Sequence, residues 1–286
     1  MPAPPTPITV SLVHATYFAE RTPREYLDMW LNTAERPDLV EYVVAMDESD
    51  IAAIQGSRGI RRVVSPDTTD RPSTVRNWNA AADLSRGDIL FVIADDLSPQ
   101  PVWDTHLRSV IGQLNPLTVS FGVKVSDSPK ANDVLLRHPV ISRAWFLTEG
   151  LFDPHFDGVY CDDDITYRLY SRAFILDGRA LPIVDHRHPQ VDRGIEKSLS
   201  HKRQNAPSAY SQGKGVIDML WPARSRPGVI RMVPQGPSRM PIRSIRLLRP
   251  FIIALDHLLF APRRWKHKYL LAQARRLTSL VRSRRS

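Results

Sequence analysis

Short apolar runs alternate with amphipathic stretches over the first half of the chain. Ile8 to Val13 predicts a first strand. Thr22-Pro23-Arg24-Glu25 then supplies an N-cap, a proline at the first helical position and a capping-box glutamate, so a helix is predicted from there to about Ala34. Val40 to Met46 predicts a second strand that ends at Asp47-Glu48, and Arg62-Val63-Val64 a short third. Ser73 or Thr74 caps a helix carrying Asn77, Asn79, Ala80, Ala81 and Ala82, which stops at Gly87. Asp88 to Asp96 follows, an apolar run suited to a strand buried on both faces. A helix from about Pro101 to Leu114 and a strand from Leu117 to Val123 continue the alternation, which predicts an α/β domain built on a mostly parallel central sheet with helices on both faces.

From Ser126 the pattern loosens. Pro139, Gly150 and Pro154 punctuate it, and the aromatic-rich Leu151 to Tyr160 reads as a loop that lines a pocket. Asp162, Asp163 and Asp164 open a further helix, where three acids also complement the helix dipole. Leu181 to Val184 predicts a strand that delivers Asp185-His186-Arg187-His188-Pro189.

The chemistry starts with Asp95-Asp96. Two adjacent carboxylates where a buried strand leaves an open α/β sheet stand where such sheets bind ligands. They repel each other, which a cation between them and a polyanionic ligand would explain; a solvated turn, with Asp and Ser before Pro99, is the other reading.

The order of these motifs resembles the family 2 glycosyltransferases with the GT-A fold (Rossmann-like), which move a sugar from a nucleotide-diphosphate donor. The resemblance covers about residues 8 to 190. It rests on Thr16 after the first strand, Asp47 after the second, Asn79 to Gly87, Phe91 to Asp96, and Asp162 with Arg168. The Trp78-Asn79, Asp95-Asp96 and Trp103-Asp104 combination is similar to the bacterial polysaccharide branch of that family.

The resemblance implies an inverting, metal-dependent transferase that takes a nucleotide-sugar, with UDP the commonest donor nucleotide, to a glycan or lipid-linked acceptor in cell-surface polysaccharide synthesis. It implies Mn²⁺ or Mg²⁺ held by Asp95 and Asp96, Asp96 more directly, and completed by His188, with His186 as the rival. Thr16, Asp47, Arg76, Asn79 and Asp95 are implied on the donor side. The base that takes the acceptor proton is implied at Asp162, six positions before Arg168; Asp163 and Asp164 are its substitutes, because Cys161 stands where a Glu is usual. Ile93 likewise stands where many members have an Asp, so a domain that binds a nucleotide sugar or glycan without chemistry is the alternative reading.

Charge divides the 286 residues into a domain of residues 1–220 and a basic, helical C-terminal extension of residues 221–286. The extension holds sixteen Lys and Arg against Asp256; since the whole chain is +9, residues 1–220 carry −6. A net negative domain argues against nucleic acid as a partner. The apolar Phe251 to Ala261, followed by Arg263, Arg264, Trp265, Lys266, Lys268 and Tyr269, resembles an anchor on an anionic membrane surface; packing of the apolar segment on the domain, with the arginines solvated, is the alternative. A single cysteine, no bilayer-length apolar run and a proline-rich first segment without an apolar stretch lead to the expectation of a cytoplasmic protein, peripheral on the inner face of the membrane.

Overall fold

The computed structural model describes residues 7–68, 71–128, 132–186 and 199–234. The first half follows the predicted alternation: β1 (Val10–Ala15), α1 (Pro23–Asn32), β2 (Val40–Asp47), α2 (Ile51–Gly56), β3 (Arg61–Ser65), α3 (Thr74–Leu84), β4 (Ile89–Ile93), β5 (Leu97–Pro99) and α4 (Trp103–Ile111). Then come β6 (Gly122–Lys124), β7 (Val140–Ser142), α5 (Arg143–Glu149), α6 (Cys161–Arg172), β8 (Ile175–Asp177), β9 (Val184–His186), α7 (Leu199–Gln204) and α8 (Pro207–Leu220).

A seven-stranded sheet has the order β3-β2-β1-β4-β7-β6-β8. β3, β2, β1 and β4 are parallel; β7 runs antiparallel to both its neighbours, and β8 is parallel to β6. β5 and β9 form a separate antiparallel ribbon in which Leu97 faces His186. Side chains that alternate along each strand feed two cores. Val10, Leu12, Phe91 and Ile93 pack against Tyr26 and Trp30 of α1 and Trp103 and Leu107 of α4. Val13, Leu90 and Val92 pack against Val75, Trp78 and Ala82 of α3 and Ile165 and Leu169 of α6. On the first face Trp30, Phe91 and Trp103 meet edge to face, with ring centroids 5.1 to 5.9 Å apart.

The capping box of α1 forms as predicted: the Thr22 amide donates to the Glu25 carboxylate at 2.7 Å, and Glu25 returns its own amide to the Thr22 hydroxyl at 3.4 Å. The end of α3 differs from expectation. It stops at Leu84, and Gly87 serves close approach rather than termination, because a Cβ there would lie 2.6 Å from the Ser11 amide nitrogen. The predicted strand from Leu117 shrinks to Gly122–Lys124, with Leu117 exposed. The strand expected at Leu181 to Val184 starts at Val184 instead.

Chain beyond residue 220 continues onto the same body. The Trp221 indole donates to Asp164 at 2.8 Å, and Val233 exchanges backbone hydrogen bonds with Ile175 and Asp177. The predicted membrane-surface anchor lies outside the described residues, and no described helix is long and apolar enough to cross a membrane.

Asp104 is fully buried at the start of α4. It accepts from the Glu35 and Arg36 amides at 2.8 and 3.0 Å and from Arg108 at 2.5 Å. Burial opposes its charge, but these donors hold its carboxyl below the ordinary range. Asp104→Ala would strand Arg108 and two amides together, and should cost about 3 kcal/mol in urea unfolding with an unchanged m-value. A loss under about 1 kcal/mol would show that the carboxylate is not what ties α1 to α4.

Candidate active site

The C-terminal ends of β1, β2 and β4 lie side by side and deliver Thr16, Asp47 and Asp95-Asp96 to one edge of the sheet. Beside them a cavity of about 410 Å³ is lined by Asp96, Asp127, His138, Asp162, Asp163 and His186, among others.

The β5–β9 ribbon sets the first group. Pairing Leu97 with His186 brings residues distant in sequence together, and His186 Nε2 lies 3.2 Å from Asp96 Oδ2. Burial disfavours a charged His186, yet the Asp96 hydrogen bond and charge outweigh it and raise its pKa. Asp96, His138 and His186 each offer a ligand atom, all within 4.8 Å of one another. A carboxylate and two imidazoles fit a divalent ion such as Mn²⁺. His186, the rival at the sequence level, is thus placed at the group, whereas His188 lies outside the described residues. Asp95 is not in the group, because its carboxylate turns to the buried His14 at 3.0 Å, and His14 in turn meets the Tyr42 hydroxyl at 2.6 Å. His138 escaped the sequence reading, since a histidine before Pro139 looks like any loop residue.

The acids of α6 face the same cavity. Tyr160 precedes them with φ of 68°, a strained value for a tyrosine, and aims the first turn. Asp162 and Asp163 line the cavity and are half-buried. Burial raises Asp162 against the pull of Arg137, while burial and then the Asp162 charge lift Asp163 to about 6. Asp164 has a different task. It is buried, and its two oxygens accept from Arg168 Nε at 2.7 Å and Trp221 Nε1 at 2.8 Å. Arg168 therefore pairs with Asp164, one helical turn away, and not with Asp162, six positions away. Cys161 sits in the apolar core, where burial pushes its thiol up.

The remaining predicted donor-side residues are spread over several tasks. Asp47 is buried and accepts from Ser73 at 2.7 Å, Arg76 at 2.9 Å and Asn77 at 2.8 Å; Arg203 of α7 stands 3.6 Å away. Ser73 thus spends its hydroxyl on Asp47 instead of capping α3. Arg203 also lies 4.6 Å over the Tyr17 ring, a placement no local motif announced. Thr16 buries a hydroxyl that has no hydrogen-bond partner among the described residues. Asn79 is drawn away from the donor side: its amide both donates to and accepts from the Phe152 backbone, at 2.9 and 3.0 Å, and clamps the pocket loop.

No protein-family model and no curated protein matches the chain. Solved structures do. S. aureus TarS 1–349 in complex with UDP-GlcNAc superposes with a TM-score of 0.50 at 13% identity, over 90% of this chain and 82% of that one. A longer S. aureus TarS structure gives 0.50 at 12% identity; the match covers 90% of this chain and only 50% of the TarS chain. Glucosyl-3-phosphoglycerate synthase from Mycobacterium tuberculosis, in complex with Mn²⁺, UDP and glucosyl-3-phosphoglycerate, gives 0.45 at 18% identity over 74% of this chain and 78% of that one. The mostly parallel sheet, the acids at its C-terminal edge and the TarS superposition identify the fold of this chain as the GT-A fold of the nucleotide-sugar glycosyltransferases.

Proposed function

We propose that this chain is an inverting, metal-dependent glycosyltransferase that moves a sugar from a UDP-sugar to a hydroxyl of a glycan or lipid-linked acceptor in cell-surface polysaccharide synthesis. The observation that carries the reading is one cavity lined on one side by Asp96 and His186, and on another by Asp162 and Asp163 with raised pKa values. The TarS fold, solved with UDP-GlcNAc, supports a UDP-sugar as donor.

A divalent cation at Asp96 and His186 would screen the charge that develops on the departing diphosphate. The chain supplies the rest. Asp162 takes the proton of the acceptor hydroxyl; partial burial makes it a stronger base than a solvated carboxylate, and the nearby Arg137 keeps it ionised. Asp163 shares the negative charge, so the two acids titrate as a pair. Asp164 with Arg168 and Trp221 fixes the helix that presents them. Thr16, Asp47 and Arg76 stand on the side assigned to the nucleotide, where Arg76, held by Asp47 at 2.9 Å, is the more exposed group.

Asp162→Asn should lower turnover by about 10² to 10⁴ and leave UDP affinity unchanged in calorimetry. Equal turnover would remove Asp162 as the base. Asp162 accepts a proton only while ionised, its pKa is raised, and it titrates together with Asp163, which is lifted to about 6, so kcat/KM should fall as pH drops through that region. A flat profile between pH 5 and 8, about one unit below and two above that value, would separate the pair from the chemistry. Asp96→Ala should abolish the metal dependence of UDP binding; retention of it would place the ion elsewhere.

A further inference from the structure

We propose that His138 is a third protein ligand beside Asp96 and His186, so that the chain binds a transition-metal ion before the nucleotide arrives and discriminates against Mg²⁺. The inference builds on the metal site proposed above, but not on glycosyl transfer.

Asp127 fixes both rings from behind. His186 Nδ1 lies 3.0 Å from the Asp127 backbone carbonyl, and His138 Nδ1 lies 3.3 Å from the Asp127 carboxylate. A carbonyl and an ionised carboxylate only accept, so each Nδ1 carries the hydrogen and each Nε2 keeps its lone pair for an ion. In the neutral form of that ring, His186 Nε2 and Asp96 Oδ2, 3.2 Å apart, can ligate one ion in place of the proton that otherwise bridges them. The imidazoles stand edge to face, with centroids 4.7 Å apart and planes at 86°.

Asp127 cannot easily turn away. It is buried and ion-paired to the equally buried Lys124, whose ammonium also donates to the Leu135 carbonyl at 2.6 Å. A site with one carboxylate ligand depends on the diphosphate to complete it, whereas three pre-set ligands do not. Two imidazoles suit Mn²⁺, Co²⁺ or Zn²⁺, while Mg²⁺ favours oxygen ligands and keeps its waters.

The test is titration of MnCl₂ into the nucleotide-free full chain, following free Mn²⁺ by electron paramagnetic resonance. One ion per chain should bind, and about a tenfold excess of Mg²⁺ should fail to displace it. His138→Gln should weaken binding at least about tenfold, and Asp127→Asn by about 10- to 100-fold through loss of ring orientation. Pulsed measurements on the bound ion should detect two imidazole nitrogens, one of which is lost in His138→Gln. Binding only after UDP is added, a single nitrogen coupling, or full affinity in a folded His138→Gln protein would each overturn the proposal. No sugar is present, so an inactive transferase would leave a positive result standing. A negative result would leave a transferase whose ion arrives with the diphosphate.

Discussion

The Lys124–Asp127 pair is the constraint on which the site depends. Lys124 closes the end of β6 and is almost wholly buried, so its charge is tolerable only with Asp127, Asp133 and the Leu135 carbonyl around it. Burial works against the Asp127 charge, but the His138 hydrogen bond and the Lys124 charge hold its carboxyl far below the usual range. Asp127 accepts in two directions at once, its ionised carboxylate facing His138 and its backbone carbonyl facing His186.

A second constraint is the β5–β9 ribbon, only three residues long on each side. It stands outside the main sheet and joins the chain just after the β4 acids to the chain that carries His186. The acids on α6 reach the same cavity from the opposite core, where Ile165 and Leu169 anchor the helix. Two walls of the cavity are therefore held by two different hydrophobic cores, and β4, which feeds both, sets their relation.

What was legible in the sequence was local. β4 could be read because all five of its residues are buried and a turn with two acids follows. The α1 cap could be read because Thr22, Pro23 and Glu25 carry it within one turn. β7 and β8 are three residues each, too short for a periodic signal, and α5 begins at a buried arginine, which hides its apolar face. His138 takes its role from Asp127 across an irregular loop, which no spacing rule describes. The clamp between Asn79 and the Phe152 backbone was not legible, because the two are 73 residues apart along the chain. For Asp164 and Arg168 the signal was present, since four residues is the helical contact distance and six is not.

The segment that ends at Val233 has a further consequence for how the molecule behaves in company. β8 is the last strand of the sheet, and its outer edge would otherwise offer free amides and carbonyls to a strand of another molecule. Val233 occupies that edge, accepting from Asp177 at 2.8 Å and donating to Ile175 at 2.7 Å. At the opposite border β3 carries the exposed Arg62, a charge that discourages pairing with a similar edge, while Arg61 is paired with Glu41. A chain cut after Leu220 would retain the whole main sheet but lose this cover, and would be the more aggregation-prone form.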